Sequence, residues 1–555
     1  MSALTWAACV LAAHGTHASA QSRIGEVLPF EHPIPLNAAE RRVLGVLDPG
    51  PSARIVYGAA GHGAGPALEN AGHVAVVART GRVLFERTGE RPFLHLGHFA
   101  ASIGDVTGDG RDDFVVSTRY RTSIIDGATF EESRVLAEQA SKCANLGDLD
   151  GDGRDDLLDW STGLVLGGAP GAPVNAPEYP LASVNYRRPA WFVEGSRRFD
   201  VGARALARPF VDRDGDGVRD YLVAWSQPAV DAWGERDYDC LIGLHSAATG
   251  EFLAGAEGPL PWSWFGRSFD VLGDVSGDGV PELIVSTLAL PYAEGVRTSD
   301  LYRVDGASLE ITERATRLRG EFRASNGEVL AVGESIRAVG DVNRNGSPDF
   351  LTTILLSQPH PAHERFGLEK VVLIDGSTLE PIWEFVDLDL GAAFSNVIEP
   401  AGDVDEDGFP DFVAASLTGC AFYSTRPAGA QALGGAVALC DGRVPAIGVD
   451  APIRLARGRL VVNLTDVPAD RPAYLLVSHR APTVGAARLL VPDRILPATT
   501  RSTGPFVHAT LELPLSSDPA CLGRPGYIQW IVPERRPDAT IHLGASQVLE
   551  LTPLP

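Results

Sequence analysis

Gly273-Asp274-Val275-Ser276-Gly277-Asp278-Gly279-Val280-Pro281-Glu282-Leu283-Ile284-Val285 sets oxygen-bearing side chains at alternate positions of a short turn, then runs straight into an apolar stretch. With Asp274 as position 1, the oxygens fall at positions 1, 3, 5 and 9, and glycine stands at position 6. The pattern occurs six times, beginning at Asp105, Asp148, Asp212, Asp274, Asp341 and Asp403. The copies lie 43, 64, 62, 67 and 62 residues apart. That spacing is too long for a tandem calcium-loop array and suits a four-stranded propeller blade with long loops.

The first copy offers Asp105, Thr107, Asp109 and Asp113, and the second Asp148, Asp150, Asp152 and Asp156. The third offers Asp212, Asp214, Asp216 and Asp220, and the fourth Asp274, Ser276, Asp278 and Glu282. The fifth has Asp341, Asn343, Asn345 and Asp349, and the sixth Asp403, Asp405, Asp407 and Asp411. Position 7 adds a backbone carbonyl from Arg111, Arg154, Val218, Val280, Ser347 or Phe409. A hard divalent cation takes six or more oxygens, and carboxylates crowded this closely repel one another without one. Soft ligands are absent, so up to six Ca²⁺ are expected, rather than zinc or copper. The fifth copy has only two carboxylates and is expected to be the weakest site.

An EF-hand is excluded. That loop needs a bidentate Glu at position 12 and flanking helices. Position 12 here is Val116, Asp159, Val223, Val285, Thr352 or Ala414, and the residues after each turn are strand formers. A second signature recurs between the copies. Two apolar runs flank Thr80-Gly81, Asp126-Gly127, Thr249-Gly250, Asp305-Gly306, Asp375-Gly376 and Asp441-Gly442, with a weaker case between Leu164 and Pro173. These read as seven hairpins.

The chain is therefore expected to be all-β: a seven-bladed β-propeller over residues 44–445 with Ca²⁺-binding hairpin loops, and a small C-terminal β-sandwich over 446–555. One early unit, roughly 44–90, carries no acidic turn. Residues 1–20 read as a signal peptide ending in Ala18-Ser19-Ala20, and 21–43 as an N-terminal segment.

The repeats resemble the FG-GAP (VCBS-type) family, found in the head of integrin α subunits and in many secreted bacterial proteins. Phe265-Gly266-Arg267-Ser268 before the fourth turn carries the resemblance best, with Val332-Gly333-Glu334-Ser335 at the same offset before the fifth. His98-Phe99 and Phe394-Ser395 are degenerate versions. The resemblance implies a propeller with Ca²⁺ in blade hairpins on one face, and ligands on loops of the other.

The net charge of −24 disfavours nucleic acid and anionic lipid as partners. After residue 20 no apolar run is long enough to span a membrane. Cys420 and Cys440 are candidates for a bridge between neighbouring strands, whereas no C-x-x-C pair exists for a zinc site. His360 and His363 read as a solvated loop, Trp262 and Trp264 as packing between blades, and Asn463-Leu464-Thr465 as a glycosylation motif without consequence. No catalytic motif is visible. The expected function is an extracellular or cell-surface binding and adhesion module for a protein or glycan. The alternatives are a polysaccharide-active propeller enzyme and a structural cell-surface protein.

Overall fold

The structure is a computed structural model. It describes residues 23–29, 44–62, 68–137, 142–159, 163–165, 206–230, 236–259, 265–287, 299–315, 329–356, 368–385, 397–415, 419–426, 430–432, 436–449, 459–465, 467–480, 490, 492–503, 506–514, 524–536, 540–546 and 548–551. The leader, Trp262, Trp264, His360, His363 and Phe394-Ser395 lie outside these residues. Every regular element among them is a β-strand, and no helix is long and apolar enough to cross a membrane.

Seven antiparallel sheets follow one another along the chain. The first holds Leu44–Leu47, Arg54–Ala59, His73–Ala78 and Val83–Thr88. The second holds Phe99–Gly104, Asp113–Ser117, Thr122–Ile125 and Glu132–Ala137, and the third Cys143–Gly147, Asp156–Asp159 and Gly163–Val165. The fourth holds Leu206–Pro209, Tyr221–Val230, Arg236–His245 and Phe252–Glu257, and the fifth Phe269–Gly273, Glu282–Ser286, Leu301–Val304 and Ile311–Arg314. The sixth holds Val329–Gly340, Asp349–Leu356, Leu368–Ile374 and Pro381–Phe385. The seventh takes Val397–Gly402, Asp411–Ala415 and Gly419–Ser424, and its fourth strand is Arg23–Pro29, with Arg23 opposite Tyr423.

Burial follows from stacking these sheets face to face. The second strands are buried on both faces, which is why Asp113–Ser117 and Glu282–Ser286 read as continuous runs, not alternating ones. The fourth strands are half exposed, as in Val83–Thr88 and Ile311–Arg314. Each pair of consecutive sheets closes over an apolar core, which between the sixth and seventh continues into the C-terminal region. Val56 and Val76 meet Ala100 and Phe114 between the first and second; Ala101 and Ile124 meet Cys143 and Leu157 between the second and third. The series returns on itself, because Val413 and Phe422 of the seventh sheet pack with Leu44 and Ile55 of the first. The first strands also touch in succession, and Gly50 N–H donates to Ala401 O (2.6 Å) across the joint. Serial meander sheets packed in this way form a β-propeller.

The innermost strands divide by chemistry. At one register level, two residues beyond the last turn position on the partner strand, stand Arg208, Asp270, Arg337 and Glu399 in the fourth to seventh sheets. Arg208 Nε donates to Asp270 Oδ1 (2.5 Å), Asp270 Oδ2 accepts from Ala338 N–H (3.0 Å), and Arg337 grips Glu399 with two bonds (2.9 and 2.7 Å). The same level in the first three sheets holds Gly45, Ala101 and Ala144. A Cβ on Gly45 would stand 2.4 Å from Ser102 N, so only glycine permits this approach of the first strands.

The expected Asp-Gly hairpin turns take one geometry. In Asp126–Phe130, Asp305–Leu309 and Asp375–Leu379 the fifth residue donates its N–H to the first carbonyl at 2.8 Å, with left-handed φ of 60°, 58° and 54° at that residue. The turn at Asp441-Gly442 falls elsewhere. Val437 bridges Ala545, and Ala430–Ala432 pairs with Leu549–Leu551, so this stretch joins the C-terminal region.

That region is two antiparallel sheets. One includes Ala446–Val449, Arg459–Thr465 and Phe506–Pro514; the other includes Pro472–Ser478, Arg494–Thr499 and Gly526–Arg535. Between them lie Val462, Leu464, Leu475, Ile528 and the fully buried Trp530, in a core continuous with Val342 and Phe412 of the propeller. The candidate bridge between Cys420 and Cys440 does not form: both are free, Cys420 buried in the joint of the seventh and first sheets and Cys440 exposed. Asn463 is 2 % exposed and its amide is hydrogen-bonded, so it is no glycan acceptor.

Removing Arg337 strands Glu399, whose side chain is 18 % exposed. Arg337→Ala is expected to cost about 3 kcal/mol in denaturant titrations. Arg443→Ala, which removes an exposed pair with Asp441, is expected to cost about 0–1 kcal/mol. Equal small effects would remove the innermost pairs from the account of stability.

Candidate cation sites in the acidic turns

All six acidic turns join the first strand of a sheet to the second, in the second to seventh sheets, and so lie at one end of the strands. Position 1 organises each turn. Asp105 accepts N–H bonds from Gly108, Asp109 and Gly110, and Asp148 from Gly151, Asp152 and Gly153. Asp212, Asp274, Asp341 and Asp403 accept from their position-6 N–H at 2.8–2.9 Å. Those donors hold the Asp212 carboxyl below the usual carboxylate range. The position-6 glycines have φ between 85° and 91°, the left-handed conformation expected of them. Position 4 is left-handed as well, even where it is Arg344 (57°) or Glu406 (59°), a feature the spacing did not reveal.

Position 9 is the opposite kind of acid. Asp113, Asp156, Glu282, Asp349 and Asp411 open the second strands, Asp220 immediately precedes one, and all six are 0–3 % exposed. One carboxylate oxygen accepts from the backbone at the start of the turn, as Asp411 Oδ2 does from Val404 N–H (2.7 Å). The Asp-Gly hairpin beside the turn supplies another donor: Gly127 N–H reaches Asp113 Oδ1 (2.9 Å) and Gly376 N–H reaches Asp349 Oδ1 (3.2 Å). In the second and sixth sheets the two recurring signatures are thus two halves of one site. Burial pushes the Asp113 and Asp220 carboxyls up to about 6 and Asp411 to about 8.

Three turns bring carboxylate oxygens together within 4.8 Å of one another: Asp148, Asp150 and Asp156; Asp212, Asp214 and Asp220; and Asp403, Asp405 and Asp411. In the last two groups Asp220 Oδ1 and Asp411 Oδ1 are buried without a hydrogen-bond partner, an arrangement a cation would satisfy. The hard oxygen donors fit Ca²⁺. Asp407 departs from the expected ligand role, since Arg426 Nη1 pairs with its Oδ2 at 2.9 Å. The first and fourth turns place a hydroxyl at position 3, Thr107 or Ser276, and Glu282 spends both oxygens on Val275 and Ser276 N–H. In the fifth turn the position-3 and position-5 side chains are amides, with the nitrogens directed at Asp375.

Sequence reading missed the links between turns. Asp112 and Asp155, at position 8, accept the position-1 N–H of the preceding sheet, from Asp48 (2.8 Å) and Asp105 (3.1 Å). The doubled Asp112-Asp113 and Asp155-Asp156 were the available signal. The first sheet falls within the early unit expected at 44–90 without an acidic turn, but the ion pair that replaces the turn was missed. Asp48 follows its first strand as Asp105 follows the second sheet's, but Arg54 stands where the buried acid would be. Its guanidinium pairs with Asp48 (2.7 Å) and donates to Gly127 O (2.6 Å).

The shifts fix a pH test. Carboxyls raised from about 4 in the unfolded chain stabilise the metal-free fold below that value. Their contribution is lost as pH rises through about 6 (Asp113, Asp220) and about 8 (Asp411). In chelator, the melting temperature is expected to fall between pH 5.5 and 8.5. In millimolar Ca²⁺, where the ion displaces those protons, it is expected to stay nearly level over the same range. Parallel melting series check this, and superimposable profiles would contradict it.

No protein-family model matches the chain, and no curated protein matches it. Among solved structures it is similar to the Dos1 propeller, at 11% identity and a TM-score of 0.36, over 71% of this chain and 95% of that one.

Proposed function

We infer that the protein is an extracellular, calcium-stapled propeller of the FG-GAP type. In this reading the seven sheets are seven blades, the paired C-terminal sheets are a β-sandwich, and the molecule binds a glycan or protein partner. The acidic turns act as staples rather than as the binding surface. Each ties a first strand to a second, so an ion there resists opening of the blade.

One observation carries the binding role. Phe93 and Tyr120 are 46 % and 55 % exposed, on loops at the strand ends opposite the acidic turns. The loops are joined by Arg119 N–H donating to Leu94 O (2.9 Å). Phe93 holds a left-handed φ of 59°, and His95, its neighbour but one, holds 54° with Nδ1 3.2 Å from Ala60 O. Such backbone costs about 1–3 kcal/mol per residue and persists where surrounding structure imposes it, often at binding surfaces. The Arg119 guanidinium lies 5.9 Å from the Tyr120 ring centroid. Exposed aromatic faces beside guanidinium donors suit sugar rings and their hydroxyl or acidic groups.

Screening the calcium-loaded protein against glycan and extracellular-protein arrays tests this. Phe93→Ala with Tyr120→Ala is expected to weaken the selected interaction by about tenfold or more while leaving the melting temperature unchanged. Full binding by the double variant would move the site elsewhere, and the absence of any partner would leave a structural role as the better reading.

A further inference from the structure

The fifth turn has the frame of the others but a different filling. Asn343 Oδ1 accepts Asn345 N–H (3.0 Å), and Asn345 Oδ1 accepts Ser347 N–H (2.8 Å). Elsewhere the position-3 bond uses one oxygen of an aspartate and leaves the second to converge with neighbouring acids, as in Asp150 and Asp214. Here the second atom is an amide nitrogen, a donor that cannot ligate a cation. Both nitrogens converge on Asp375 Oδ2, at 2.8 and 2.5 Å. The other oxygen of Asp375 is held by Ser377 and Thr378 N–H. The two amide nitrogens are thus committed to a hairpin carboxylate outside the turn and offer no lone pair to an ion.

The turn is also covered. Asn463 Nδ2 of the C-terminal region donates to Asn343 O (2.8 Å), while Asn463 Oδ1 accepts from Thr510 and Asn463 O from Trp530 Nε1 (both 2.9 Å). Gly448 lies so close that a Cβ there would stand 2.4 Å from Asn343 O and 2.5 Å from Arg344 Cγ. Arg344 Nη2 continues to Gly408 O (2.8 Å) in the sixth turn. Val342 shares one core with Ile447, Val449 and Leu460, and Asn343 is 2 % exposed. The first sheet shows the same substitution in another form, with the Arg54 guanidinium against Asp48 where the other turns offer two acids.

We propose that the fifth turn takes no ion: its two asparagine amides replace the cation, and the turn is the calcium-independent seat of the C-terminal domain. This rests on the calcium reading of the other turns, and the test separates the two. Bound Ca²⁺ per chain is measured by equilibrium dialysis on full-length protein, for the wild type and for Asp212→Asn, Asp403→Asn, Asp341→Asn and Asn343→Asp/Asn345→Asp. Folding of each variant is confirmed by its melt in excess Ca²⁺. Asp212→Asn and Asp403→Asn are each expected to lose one ion, Asp341→Asn none, and the double variant to gain one. An ion lost with Asp341→Asn overturns the proposal and leaves the calcium reading standing, as does a folded double variant that gains none. If no single variant loses an ion, the calcium reading falls and this proposal falls with it.

Discussion

A carboxylate buried at the mouth of each hairpin is the constraint on which the propeller turns. Asp113, Asp156, Asp220, Glu282, Asp349 and Asp411 sit where a first strand hands over to a second, almost wholly out of water. An ionised group there is costly unless its lone pairs are met and its charge is balanced. The backbone meets part of the demand: the start of the turn donates to one oxygen, and in the second and sixth sheets the next hairpin donates to the other. The charge remains. The surroundings separate the turns: three gather acids that could hold a cation, the fifth sets its two amides against Asp375, and the first sheet has an arginine standing in the acid's own place.

The same economy of parts joins one sheet to the next. The position-8 acids Asp112 and Asp155 accept backbone donors from the preceding sheet, so the turns at the acidic end of the first three sheets are linked to one another. On the innermost strands the first three sheets approach through Gly45, Ala101 and Ala144, and the later four through alternating arginine and acid. Apolar cores lie between all consecutive pairs, so the polar links set register and spacing while burial supplies the bulk of the stabilisation.

Much of this was legible because it repeats. Oxygens at positions 1, 3, 5 and 9 with a position-6 glycine return six times, and a turn with that chemistry between strand-forming runs has few other readings. What stayed hidden depended on residues far apart in sequence. Arg54 looks like an ordinary strand residue until register sets it opposite Leu47 in the place of Asp113. The hairpin at Asp441-Gly442 has the right local chemistry for another blade, yet Val437 pairs with Ala545, about a hundred residues on. Asn463 reads as a strand residue in an N-x-T triplet without consequence, and only the packing of the C-terminal sheets on the sixth sheet's turn sets its amide against Asn343. Phe93 and Tyr120 carry no periodic signal, since loop aromatics are read from exposure and not from pattern.

The fourth strand of the seventh sheet comes from Arg23–Pro29, and Arg23 lies opposite Tyr423. As the chain leaves the ribosome, that first strand must wait for a partner about 400 residues downstream. Bringing such distant segments together costs about 5 kcal/mol in chain entropy. Until then both the early strand and the growing stack present bare edges that invite pairing with other molecules. Ring closure is therefore a late event in biogenesis, and a truncated product would keep an open, adhesive seam.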